Sequence, residues 1–144
     1  MHLIRLLLVI SFVTATLGLF SHTFLATANE MCKNLSNVNE DVIKQIFVGT
    51  IPQSSKEVMD YVFCMSRGLN IQNKFGAISA KKLKKFLLNF KVFRKSWVDR
   101  TLDICLQRDF DGRRNAFGTF TCLREQYFKQ KLFEHKPYLF YLMY

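Results

Sequence analysis

Residues 55–68 read SKEVMDYVFCMSRG. The segment has the signals of one short amphipathic helix, with Ser54 or Ser55 able to cap its start and Gly68 able to end it. Between these signals, apolar side chains recur at helical spacing beside Cys64 and would share one face. They are Val58, Tyr61, Val62 and Met65. The sequence therefore predicts a short helix that packs this face into a core.

Five other segments have comparable helical signals. Their punctuation and periodicity place them from Phe20 to Cys32, after Asn39 to Gly49, after Ser79 through Phe90, around Trp97 to near Arg108, and after Gly112 toward Tyr127. Few segments alternate with period two, and the connections are short. The predicted fold class is therefore all-α, a compact bundle of about six short helices.

The first residues have the pattern of a signal peptide. Residues 1–5 are a short basic start, residues 6–13 are an apolar run too short to span a bilayer, and small residues follow. Cleavage is expected after Ala15, with Ala28 as the later alternative. The sequence thus predicts a secreted, extracellular protein with a signal peptide over 1–15, a helical domain over 16–128 and a tail over 129–144.

Four cysteines lie in the predicted domain, at Cys32, Cys64, Cys105 and Cys122. A secreted chain matures in an oxidising compartment, so these cysteines are expected to form two disulfides. Four cysteines allow three pairings, and their positions alone leave all three open. None of them forms a C-x-x-C motif of the kind used for metals or redox chemistry.

The formal net charge is +10, which is compatible with nucleic-acid or anionic-membrane binding. An extracellular location argues against nucleic acid, so a weak contact with anionic surfaces and a simple solvated basic surface remain. One alternative function follows, a cationic secreted effector that binds anionic membranes or glycans through basic residues beside an apolar helical face. Those residues are Lys81, Lys82, Lys84, Lys85, Lys91, Arg94 and Lys95.

Enzymatic patterns are absent from the sequence. Outside the predicted signal peptide the histidines are His22 and His135, and neither lies in a recognisable Ser/His or Cys/His motif. Carboxylates are scattered, and no metal-ligand spacing occurs. We therefore expect a protein without catalytic residues, metal or cofactor.

The cysteine spacing points to a family. Between successive cysteines lie 31, 40 and 16 residues, and Gly-containing turns at 47–52 and 75–79 fall between the helices. With this register, residues 20–128 resemble the insect odorant-binding proteins, in which six cysteines are usual. The second and fifth would fall on Asp60 and Arg113, where the run Arg113 to Phe117 resembles the family's Cys-x-x-Ala-aromatic motif. The chain thus resembles the four-cysteine, or C-minus, branch.

The resemblance implies a pairing and a function. The first and third cysteines pair, as do the fourth and sixth, giving Cys32–Cys64 and Cys105–Cys122. The helices would enclose an apolar cavity that carries a small hydrophobic ligand, such as an odorant, a pheromone or a lipid-like molecule. An odorant receptor is a possible partner, and the protein would be a monomer or a homodimer.

The apolar helix faces indicate which residues would line this cavity. They are Val58, Val62, Met65, Leu83, Leu87, Trp97, Phe117 and Phe120. The tail is unusually apolar for a solvated segment, and residues 138–144 are expected to close or fill the cavity, with a partner-binding patch as the alternative.

The two absent cysteines lead to one further hypothesis. They are partners in the six-cysteine form, so Asp60 and Arg113, which replace them, should face each other. Because the two residues carry opposite charges, we expect an ion pair where the third disulfide would lie.

Overall fold

The computed structural model describes residues 24–48, 55–89, 93–106 and 111–129. These ranges contain helix α1 at 24–36. They also contain α2 at Glu40–Val48, α3 at Lys56–Gly68, α4 at Ala80–Asn89, α5 at Lys95–Cys105 and α6 at Gly112–Lys129. Within them, β structure is limited to one isolated bridge between Gln72 and Ile78. The predicted all-α class is confirmed.

The predicted capping residues act as caps. Asn39 Oδ1 accepts a hydrogen bond from the Asp41 N–H at 2.9 Å, and Ser55 Oγ accepts one from the Val58 N–H at 3.2 Å. Ser79 Oγ does the same for the first turn of α4. Each side chain satisfies a backbone donor that has no partner inside its helix.

Two predicted helix ends are wrong. Helix α1 continues through residue 36, one turn beyond Cys32. Helix α5 ends at Cys105, ahead of Arg108, because Leu106 has an extended backbone with ψ of 108°. Sequence signals mark a helix end only to within a few residues.

Both predicted disulfides are confirmed. Cys32 and Cys64 join α1 to α3 with Cα atoms 5.5 Å apart, and Cys105 and Cys122 join the end of α5 to α6 with Cα atoms 5.4 Å apart. Each bond is expected to stabilise the fold by about 3–4 kcal/mol through restriction of the unfolded chain.

The core consists of two groups of buried side chains, and α6 contributes to both. The first core cluster joins α1, α2 and α3 and receives Ala116 from α6. The second core cluster joins α4 and α5 and receives Tyr127 from α6. Helix α6 therefore runs along both clusters and is a shared wall between them.

The connection between α3 and α4 is fastened to the start of α6. Gly76 has φ of +87°, and a Cβ there would lie 2.6 Å from the Cα of Gly112. Gln72 Nε2 donates to the carbonyl oxygens of Gly76 at 2.7 Å and Gly112 at 2.8 Å. Asn115 Nδ2 also donates to the Gly76 carbonyl, at 2.9 Å. Only a residue without a side chain allows the two backbones to approach this closely.

Asp111 caps the same end of α6. Its Oδ1 accepts hydrogen bonds from the backbone N–H groups of Arg113 at 2.8 Å and Arg114 at 3.2 Å. The bonds from Arg114 and Arg113 lower the pKa of Asp111 below its ordinary value. The start of α6 is thus held by its cap as well as by the α3–α4 connection.

Several predictions fall outside the described residues. They concern the signal peptide at 1–15, the adjoining residues 16–23 and the tail from 130 onward, so the proposed lid stays a prediction. Among the helices that the structure describes, none has both the length and the apolar character needed to cross a bilayer.

Candidate functional site

An apolar cavity of about 170 Å³ lies where α3, α4, α5 and α6 meet. For scale, an engineered cavity of about 150 Å³ in another protein binds benzene. The wall is almost entirely carbon, built from the inward faces of these four helices, from Ile46 of α2 and from the α3–α4 connection. The arrangement can bury a small apolar molecule away from water.

Six of the eight predicted wall residues line this cavity. They are Val62 and Met65 of α3, Leu83 and Leu87 of α4, Trp97 of α5 and Phe120 of α6. The structure therefore brings side chains from all four predicted helices together around one space.

Val58 and Phe117 are not among the lining residues. Val58 is 2% exposed inside the first core cluster, and Phe117 is half-buried against the same cluster. Val58 lies one turn before Val62, at a level where α1, α2 and α3 fill the space. Phe117 directly follows the lining residue Ala116 but packs against the first core cluster. Helical periodicity indicates which face a residue occupies and not where along that face a void lies.

The cavity has further lining residues that were not predicted. They are Ile46, Tyr61, Ser66, Leu69, Ile71, Ile78, Phe86, Phe93, Ala116, Thr119, Leu123, Arg124 and Tyr127. On α6 the sequence contained the signal, because the members from Ala116 to Tyr127 recur at intervals of three and four residues. Those in the α3–α4 connection belong to no periodic element, so no pattern indicated them.

Aromatic rings form one side of the wall. Phe93 stacks on Trp97 with ring centres 4.8 Å apart and meets Tyr127 edge to face at 5.6 Å. Burial raises the pKa of Tyr127 above its ordinary value. Rings in mutual contact have few alternative rotamers, so this side of the cavity is preformed.

Among the described residues of the wall, one has a charged side chain. Arg124 is 5% exposed, and its Cζ atom lies 4.8 Å from the centre of the Phe128 ring. Burial lowers the pKa of Arg124 below its ordinary value, because desolvation disfavours the charged form.

The expected ion pair between Asp60 and Arg113 is confirmed. Arg113 Nε donates to Asp60 Oδ1, and the Arg113 guanidinium also lies 5.8 Å from the centre of the Phe63 ring. The side chains of Arg113 and Asp60 are 53% and 26% exposed. Neither residue lines the cavity, so this pair fastens α3 to α6 on the outside of the domain.

The basic residues on α4 do not accompany a free apolar face. Leu83, Phe86 and Leu87 line the cavity, Lys84 pairs with Asp99, and Lys82 Nζ donates to Asn70 Oδ1 at 2.9 Å. The membrane-binding effector needs that apolar face exposed, and here it is occupied by the protein's own core. Lys91 lies outside the described residues.

The comparisons identify the family. The model of the PBP/GOBP family matches residues 21–126, and the chain therefore belongs to this family of odorant-binding proteins. Its four cysteines agree with the four-cysteine branch. No curated protein and no solved structure matches the chain. The family consists of secreted binding proteins that carry small ligands rather than enzymes.

Proposed function

We propose that this protein is a secreted carrier that holds one small hydrophobic molecule in the cavity between α3, α4, α5 and α6. The observation that carries the proposal is the apolar cavity itself, about 170 Å³ and walled by four helices. Removing a ligand's surface from water supplies the driving force, at about 0.8 kcal/mol for each buried methylene group.

The disulfides and the aromatic wall support carriage by a preformed site. Cys105–Cys122 joins two of the helices that line the cavity, and Phe93 holds Trp97 and Tyr127 in fixed mutual orientation. A cavity that exists before the ligand arrives loses less conformational entropy on binding.

The lining residues also support carriage without chemistry. The Ser66 hydroxyl donates to the Val62 carbonyl of its own helix at 2.9 Å, and the lining residues that the structure describes include no histidine, cysteine or carboxylate. Within the described ranges, no three His, Cys, Asp or Glu residues gather as a metal site would require. We therefore propose a function that needs neither catalytic residues nor a cofactor.

The start of the mature protein is also a proposal. Leu25 and Ala28 are buried on α1, and cleavage after Ala28 would remove both from the core. Their burial supports cleavage after Ala15. Mass spectrometry of the secreted protein tests this directly, and a chain that starts at residue 29 would contradict it.

Ligand binding is testable with the protein's own fluorescence. Trp97 is the single tryptophan of the chain and lines the cavity, so titration with octanol or methyl heptanoate should change its emission saturably. Replacing Ala116 with Leu puts bulk into the cavity and should weaken binding about tenfold or more. Ala80→Leu, at an exposed position of α4, is the matched control. If the unmodified protein binds neither of these ligands nor octanoic acid saturably, the carrier function is refuted.

The finer parts of the function are proposed on the same basis. Odorants, pheromones and lipid-like molecules are the classes to screen, with delivery to an odorant receptor as one destination. Light scattering of the purified protein, with and without ligand, distinguishes the proposed monomer from a homodimer.

A further inference from the structure

Arg124 is a buried cation in an otherwise apolar cavity. It follows Phe120 by one helical turn on α6, and the two residues line the cavity together. Its side chain is 5% exposed. A buried charge is unfavourable unless an opposite charge and hydrogen-bond acceptors compensate for the lost water.

The described part of the chain does not supply that compensation. Arg124 Nε and Nη2 are buried and have no hydrogen-bond partner there. Within the described ranges the lining residues include no carboxylate, and the adjacent Glu125 is exposed and paired with Lys129 at 2.9 Å. The Phe128 ring orients the guanidinium, but a ring face does not accept the two in-plane N–H bonds.

The unpaired buried donors gather at the cavity. Besides Arg124, the Trp97 indole Nε1 is a buried donor without a partner among the described residues, and Trp97 also lines the cavity. Elsewhere in the described ranges, the buried side-chain atoms without partners are two acceptors, Gln72 Oε1 and Asn115 Oδ1. Neither of those residues lines the cavity. Two residues of the wall thus carry buried donors without a partner among the described residues, and one of them is positively charged.

The two unpaired nitrogen atoms of Arg124 also define the geometry of a matching acceptor group. Nε–H and Nη2–H lie along one edge of the planar guanidinium and point the same way. That edge matches the two oxygens of a carboxylate, which can accept both bonds at once. A carboxylate also brings one negative charge to balance one buried positive charge, whereas an alcohol or ester leaves the cation uncompensated.

We infer that the cavity is selective for small amphiphilic carboxylic acids, whose carboxylate binds Arg124 while the apolar body fills the space beside Trp97 and Phe120. This inference rests on the proposed carrier function and names its ligand class. Arg124 is the residue that determines specificity.

The test compares three ligands of similar size on the full secreted chain with both disulfides formed. They are octanoic acid, its isomer methyl heptanoate, and octanol, titrated at neutral pH by calorimetry and by Trp97 fluorescence. We expect octanoate to bind about 10- to 100-fold more tightly than the two neutral ligands, the range for a bidentate charged hydrogen bond.

Variants then assign the preference to one side chain. Arg124→Met removes the charge and keeps an apolar side chain, so the affinity for octanoate should fall about 10- to 100-fold while the affinities for the ester and alcohol change little. Arg114→Met removes the same charge from an exposed position of α6 and should leave all three affinities unchanged. Arg124→Lys keeps the charge without the two-bond edge and should recover part of the preference.

The outcomes separate the two proposals. If the unmodified protein binds the neutral ligands as tightly as octanoate, or if Arg124→Met keeps the preference, the carboxylate inference is wrong and the carrier function stands. If none of the three ligands binds saturably, both are wrong. The comparison of ligands on the unmodified chain decides the inference even if a variant does not fold.

Discussion

Arg113 and Arg124 lie on the same helix, one in the first turn of α6 and one on its cavity-lining face. The Arg113 side chain is 53% exposed and pairs with Asp60. Arg124 is 5% exposed and has two donor atoms without a partner among the described residues. Arg113 thus joins α3 to α6 near the start of α6. Arg124, further along the same helix, has a buried charge without a partner among the described residues.

The surroundings of the two arginines also differ, since those of Arg113 are closely bonded and those of Arg124 are apolar. Around Arg113, the cap from Asp111 and the close approach of Gly76 and Gly112 bind the start of α6 to its neighbours. Around Arg124 the neighbours are rings and aliphatic groups beside a void. The start of α6 is therefore held closely to its neighbours, whereas beside Arg124 the helix borders a cavity that a ligand can fill.

The largest effect is expected from introducing a disulfide between α3 and the start of α6. Asp60→Cys combined with Arg113→Cys should form a third disulfide, and closing that loop should raise the free energy of unfolding by up to about 4 kcal/mol. Urea unfolding under oxidising and reducing conditions measures the gain. Free thiols in the oxidised double variant would show that α3 and α6 are not close enough here.

The next largest effect is expected from disrupting the contact between Gly76 and Gly112. Gly76→Ala should lower the free energy of unfolding by about 2–3 kcal/mol, because the residue has positive φ and its Cβ would meet the Gly112 backbone. Gly68→Ala is the matched control, since its Cβ would make an ordinary contact with Ala28 at 3.7 Å. Equal losses in the two variants would argue against the close approach of the two backbones.

A smaller effect of opposite sign is expected at the cavity end. Arg124→Met should raise the free energy of unfolding of the ligand-free protein by about 1–2 kcal/mol, because a buried uncompensated charge is replaced by an apolar chain. Arg113→Met should lower it by no more than about 1 kcal/mol. Thermal unfolding of both variants without ligand measures the difference. Destabilisation by Arg124→Met would show that the fold already compensates the guanidinium, and would overturn the contrast.

The smallest effect concerns the ion pair. A double-mutant cycle with Asp60→Ala and Arg113→Ala should give a coupling energy of about 0.2–1 kcal/mol, as for other partly exposed pairs, and it should decrease as salt is added. The cycle Lys129→Ala with Glu125→Ala, an exposed pair within one helix, is a suitable reference. A coupling energy of zero at low salt would mean that the pair contributes nothing to joining α3 and α6.

Local features of the sequence were sufficient for most of the fold. Ser55, Ser79 and Asn39 were identifiable as caps because a cap acts on backbone groups two or three residues away. The disulfide pairing and the Asp60–Arg113 pair needed the register of the family, since cysteine positions alone leave three pairings open. The end of α1 was placed too early and the end of α5 too late, because sequence signals locate a helix end only to within a few residues.

What the sequence determined by itself was the order of the helices, the residues on their apolar faces and the charges available at each position. Tertiary structure alone decided where the faces of α3, α4, α5 and α6 leave a space, and hence that Phe120 lines it and Phe117 does not. It also decided that Arg113 reaches solvent and a partner, while Arg124 is buried without a hydrogen-bond partner for its Nε and Nη2 atoms among the described residues. The physical reason is that burial depends on side chains contributed by distant segments, whereas capping and periodicity depend on residues within a few positions of each other.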